Sequence, residues 1–172
     1  MIDLNNTSLN VIPNSAFNGC TSLRVKTENI NCSIKTLGDY AFQGCTELVM
    51  NFGNSGEDCS IETVGMRCFS DTPNLNMNNL PARLTSLATE TYDGEILTHH
   101  GQAFVGRANH ENNNVYFTII PASITAIGDW TFQHRKFPQG VLRIENPNCE
   151  ISANAFKGTS GIRQIYVHPT VD

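Results

Sequence analysis

The amino-acid sequence predicts an α/β solenoid of about six coils, a parallel sheet along one face and short turns or 3-10 segments along the other. Two observations carry this. One motif returns down the whole chain: AFNGC at Ala16 to Cys20, GDYAFQGC at Gly38 to Cys45, GMRCFSDT at Gly65 to Thr72, GQAFVG at Gly101 to Gly106, GDWTFQ at Gly128 to Gln133 and ANAFKGT at Ala153 to Thr159. Its phenylalanines, Phe17, Phe42, Phe69, Phe104, Phe132 and Phe156, recur at about 24 to 28 residues with one longer gap, a period that marks stacked coils. The second observation is that aliphatic residues recur in step with them.

Aligned on its phenylalanine, each repeat places an aliphatic eight residues before (Leu9, Ile34, Ile61, Ile124), five before (Ile12, Leu37, Val64, Ile127) and six after (Leu23, Leu48, Leu75, Ile162). The position following the second aliphatic is Gly38, Gly65 or Gly128, with Pro13 and Ala88 as variants, which suits a tight turn. After the third aliphatic the spacing becomes alternating, as in Leu75-x-Met77, Val141-x-x-Ile144 and Ile162-x-x-Ile165-x-Val167, the pattern of a half-buried strand. Proline closes the strands at Pro81, Pro121 and Pro169, where its missing amide costs no ladder bond. The expectation is one strand per coil, with the phenylalanine turn opposite, driving its ring onto those of the coils above and below.

The fourth coil departs from the pattern. Leu84 and Leu87 are in register, but Phe104 comes about a dozen residues late. Residues 89–101, containing TYDGEILTHH, read as an insertion or enlarged loop within a single solenoid spanning residues 1–172. A second polar bulge, RANHENNN at Arg107 to Asn114, follows, and in solenoids such insertions are where function is added. The fifth coil carries an extra segment at Arg135 to Gly140, and in the sixth Asn148 takes the first aliphatic position. No dedicated polar cap is evident at either end, so the chain reads as a segment of a longer array or as an N-terminally trimmed mature protein.

Composition narrows the function classes. Net charge is -5 and 16% of residues are charged, with no basic patch of the kind that neutralises phosphates, so nucleic acid is not the expected partner. Apolar runs such as Val115 to Ile120 are far short of the roughly 20 residues needed to span a bilayer. No signal sequence follows Met1.

GDYAFQGCTEL, Gly38 to Leu48, resembles the repeat of the BspA-like (Treponema-type) leucine-rich-repeat surface proteins, and the resemblance extends from Leu9 to about Pro169. It implies a right-handed leucine-rich-repeat superhelix, an extracellular or cell-surface location, and adhesion to host matrix proteins, cells or other microbes. It supplies no catalytic motif and no cofactor, and it names no ligand and no oligomeric state.

The cysteines invite a disulfide or metal reading. Cys20 and Cys45 share one repeat position and Cys68 replaces the alanine before phenylalanine, so all three read as buried ladder thiols. Cys32 and Cys59 each precede an isoleucine by two and fall one coil apart, within reach of a disulfide whose geometry stacking would strain. A CxxC pair is absent. His99, His100 and His110, with Asp93, Glu95 and Glu111, are the best enzyme or metal-ligand candidate; they match no metalloenzyme spacing and read as solvated loop residues. Neither a nucleophile elbow nor a phosphate loop is present.

The binding expectation falls on residues between the inward strand positions, which project to the solvent side of the sheet. These are Arg24, Lys26, Val49, Asn51, Asn76, Asn78, Tyr116, Thr118, Arg143, Glu145, Gln164 and Tyr166. Solenoids engage large partners on such faces, and tyrosine is enriched at interface hot spots. The sequence therefore reads as a non-catalytic module that binds an extracellular protein or glycan. The alternatives are a spacer that only displays other domains and, more remotely, a metal-dependent enzyme on the histidine loop.

Overall fold

The computed structural model describes residues 2–3, 8–26, 33–50, 60–75, 78–85, 87, 89–93, 96–100, 103–106, 108 and 110–168. The chain is a parallel-strand solenoid whose axis is marked by a column of stacked rings. Neighbouring centroids lie 5.3 Å apart for Phe17 and Phe42, 5.6 Å for Phe42 and Phe69, and 5.5 Å for Phe69 and Phe104. The column continues at 5.9 Å to Phe132 and 5.4 Å to Phe156. The four middle rings are inaccessible to solvent. Small residues precede the rings because that position is also enclosed: Ala41, Cys68, Ala103, Thr131 and Ala155 are buried.

Among the described residues there is no helix, and the phenylalanine segments are turns. The reason lies in how the backbone donors are shared. In the first two coils the amides just before, just after and three after the ring bond three residues back, as in Cys20 N to Phe17 O (3.0 Å) and Gln43 N to Tyr40 O (3.2 Å). The amides two before, at and two after the ring cross instead to the next coil, as in Phe17 N to Ala41 O, Phe42 N to Cys68 O and Gly44 N to Ser70 O. This alternation requires left-handed residues. Ser15, Tyr40, Arg67 and Trp130, two before the ring, have φ between 52° and 57°. Two after the ring the chain uses Gly19, Gly44 and Gly158, with Asp71 and His134 accepting the same conformation. A left-handed residue every few positions stops helix growth, and glycine adopts it without a steric penalty.

The glycines of the turn after the second aliphatic have a different cause. A Cβ on Gly65 would stand 2.5 Å from the Asp39 backbone nitrogen and from Asp39 Oδ1, and one on Gly38 would meet Asn14 as closely. Coil-to-coil caps occupy that space. Asp39 N donates to Asn14 Oδ1 (2.9 Å), Met66 N to Asp39 Oδ1 (2.8 Å) and Asn154 N to Asp129 Oδ1 (3.1 Å).

Two parallel sheet rows, rather than one, flank the turns. The row before the ring joins Val11–Ile12, Thr36–Leu37 and Thr63–Val64, with Ile12, Leu37 and Val64 in register and buried. It resumes beyond the fourth coil's insertion as Ala126–Ile127 against Glu150–Ile151, with Leu87 bridged to Ile127. The row after the ring joins Ile119–Ile120, Val141–Ile144 and Gln164–Val167, so that Ile119, Arg143 and Tyr166 are lateral neighbours. The expected enlarged loop is an antiparallel hairpin, Thr89–Asp93 paired with Ile96–His100.

Candidate functional site

The strand row after the ring presents the predicted binding residues, with one phase correction. Burial alternates through Val115 (in), Tyr116 (out) and Phe117 (in), then slips: Thr118 is half-buried, Ile119 is 47% exposed and Ile120 is buried. Ile119, not Thr118, therefore continues the outward row to Arg143 and Tyr166. Sequence periodicity passes over this step because isoleucine fits either side of a strand.

The remaining predicted residues divide by position. Arg24 is exposed and faces Glu47 of the next coil at 3.6 Å, an ion pair of small energetic weight. Lys26 ends the strand Val25–Lys26, paired in parallel with Ile2–Asp3. Val49 and Asn78 are exposed. Arg143 is exposed and Glu145 half-buried, 3.9 Å apart on one face. Gln164 accepts a hydrogen bond from the Tyr166 hydroxyl at 3.2 Å. Asn51 and Asn76, like Cys32 and Cys59, lie outside the described residues.

Two concavities organise this face. One, of about 340 Å³, is walled by Arg143, Tyr166, Val167 and His168. The larger is a two-lobed cleft between the second, third and fourth coils. Its inner lobe, about 220 Å³, lies between Asn78 to Leu80 and the strand segment at Tyr116 to Ile119. Its outer lobe, about 400 Å³, extends to Val49, Asn74, Asn112 and Asn114. Tyr116 and Asn78 belong to both lobes. Asn74, Asn112 and Asn114 were not singled out by sequence; the last two come from RANHENNN, where only polarity signalled a function-bearing bulge.

His99 and His100 end the hairpin strand, across from Glu90 and Thr89. His110 lies in a separate hollow of about 320 Å³ with Asn113, His134 and Lys136, and its Nδ1 accepts the Asn112 amide at 3.1 Å. Among the described residues no group of three or more His, Cys, Asp or Glu is placed to hold a metal ion.

Cysteine placement corrects one expectation. Cys45 and Cys68 are buried, but Cys20, in the same repeat position as Cys45, is exposed because the described first coil does not cover it. The Cys45 thiol donates to the Phe17 carbonyl (3.0 Å), and burial pushes its pKa up to about 11. Burial raises Cys68 further still. Thiolates are the reactive form. Maleimide at neutral pH is therefore expected to label Cys20 in the folded protein and Cys45 and Cys68 only after denaturation. Peptide mapping that finds Cys45 labelled under native conditions would refute the register.

The fold and this surface define a leucine-rich-repeat solenoid whose strands and loops form a face with side-chain-lined concavities. A family model for the BspA-type leucine-rich repeat region matches in six copies over residues 1–98 and 103–172, and the chain belongs to that family. No curated protein and no solved structure matches it. Among the described residues no helix is long and apolar enough to cross a membrane.

Proposed function

We propose that the chain is a non-catalytic binding module of a secreted or cell-surface protein, which holds an extracellular protein or glycan against the strand face after the ring. The observation that carries this reading is the placement of Tyr116 and Tyr166. Both rings lie on that face, 47% and 51% exposed, and each walls a concavity. Aromatic side chains supply much of the contact energy at interfaces while losing little conformational freedom. BspA-type repeats occur in proteins often engaged in protein interaction or adhesion, and binding of this kind makes and breaks no bond.

The test is an interaction screen of immobilised matrix proteins and glycans against the wild type and the double variant Tyr116→Ala, Tyr166→Ala. Affinity is expected to fall at least about tenfold while the melting temperature stays unchanged, because neither ring is part of the core. No ligand in the screen, with normal display of attached domains, would instead mark the chain as a spacer.

A further inference from the structure

The two-lobed cleft has a chemistry unlike the rest of the surface. None of the described residues lining either lobe is charged, although 16% of the chain is. Amides take the place of charges: Asn74, Asn78, Asn79, Asn112 and Asn114 surround Tyr116. Several are already fixed. Asn74 Nδ2 donates to the Thr46 carbonyl (2.9 Å), and Asn74 Oδ1 accepts from Asn112 Nδ2 (3.1 Å). The Asn112 backbone N–H is tied to His110. The Asn114 side-chain amide and the Tyr116 hydroxyl make no hydrogen bond to any described residue, and both line the outer lobe.

A primary amide both donates and accepts, so it can pair with a hydroxyl in either sense. An exposed aromatic ring offers an apolar face ringed by polar edges. Together these are the surface of a sugar ring in complement: C–H groups pack on the tyrosine, and hydroxyls meet amides. An uncharged lining gives no attraction to sulfate or carboxylate and no penalty against a neutral ligand.

An extended peptide held by asparagines would need them at one position in successive coils, forming a track along the axis. Any such repeat is short: Asn51 and Asn78 recur nine after the ring in the second and third coils, and Asn74 and Asn109 five after it in the third and fourth, whereas the latter position is Ser22, Glu47, Phe137 and Gly161 elsewhere, and Asn112 and Asn114 come from the out-of-register bulge of the fourth coil. The amides converge on one spot.

We propose that the Tyr116 cleft is a subsite for an uncharged carbohydrate, with Tyr116 as stacking platform and Asn112 and Asn114 as hydroxyl partners. This rests on the binding-module reading and names its ligand class.

The test uses an array of uncharged oligosaccharides ending in hexose or N-acetylhexosamine, their sialylated and sulfated counterparts, and enzymatically deglycosylated matrix proteins. The wild type is expected to bind uncharged oligosaccharides, with affinity little changed by salt, since no ion pair is involved. Tyr116→Ala and Asn114→Ala are each expected to weaken binding at least about tenfold, and Tyr116→Phe by no more than about threefold. Unchanged melting temperatures establish that the variants fold. Binding confined to acidic glycans overturns the proposal, as does wild-type affinity in Tyr116→Ala. Capture of the deglycosylated proteins alone overturns the carbohydrate assignment and leaves the binding module standing. No binding to any probe overturns both.

Discussion

Phe132→Ala is expected to lower the stability of the array by about 3 to 5 kcal/mol, the cost of deleting a fully buried aromatic and leaving a cavity. Among the described residues, Phe132 meets more rings than any other member of the column. It stacks on Phe104 and Phe156, and it meets Phe117 at 5.7 Å and Phe137 at 6.0 Å, the latter edge-on at 81°. The extra pair comes from the fifth coil's Arg135 to Gly140 segment and from the fourth coil's strand segment, so one truncation loosens three coils together. Phe17 provides the internal control. It is only partly buried and, among the described residues, stacks on Phe42 alone. Phe17→Ala is expected to cost less than about half as much. Urea unfolding of the two variants, followed by far-UV circular dichroism, measures the difference. Because each coil contacts only its neighbours, Phe132→Ala is also expected to broaden or split the transition, and Phe17→Ala to fray one end. Equal losses at the two positions would sink the account of the column as the core.

The column and its aliphatic flanks were legible in the sequence because they depend on interactions that every coil repeats. Ile34, Ile61 and Ile124 are buried for one reason, and so are Leu37, Val64 and Ile127. Features set by a neighbour's presence were not legible. Leu9 occupies the same position as Ile34 but is 54% exposed, and Ile165 and Val167 are exposed although their lateral partners Leu142 and Ile144 are buried. Asp39 is a cap, because its carboxylate accepts the Met66 amide of the next coil, a contact that local propensity does not encode. The hairpin carried a readable signal in Gly94-Glu95 between Thr91-Tyr92-Asp93 and Ile96-Leu97, since a two-residue link that begins with glycine and is flanked by β-formers favours a tight hairpin turn. The cleft was half legible. Periodicity placed Tyr116 and Asn78 on the open face, whereas Asn112 and Asn114 reach it through a bulge with no repeat to align it.

Replacing Arg135 with methionine is expected to stabilise the protein by about 1 to 3 kcal/mol, as removal of a poorly compensated buried charge does elsewhere. Arg135 stands three residues after its ring, the position of Cys45. Like Cys45, it donates to the preceding coil's phenylalanine carbonyl, Nε to Phe104 O at 2.7 Å. The side chain is fully buried, and Nη1 and Nη2 have no hydrogen-bond partner among the described residues. Burial pulls its pKa down to about 10. The folded state thus releases a proton that the unfolded chain retains to above about pH 12. Between these values the unfolded state binds more protons, so stability from this group rises with pH, and below about pH 10 the penalty is present in full. The stability advantage of Arg135→Met over the wild type is therefore expected to be constant from about pH 7 to about pH 9 and to shrink toward about pH 11. Arg135→Lys separates charge from shape: it keeps a cation but loses the guanidinium Nε that meets the Phe104 carbonyl, and it is expected to be less stable than Arg135→Met at neutral pH. Chemical unfolding of the three proteins across that range decides the matter. A methionine variant less stable than wild type at neutral pH would show that the buried guanidinium is compensated within the fold, and that it holds the fourth and fifth coils together rather than straining them.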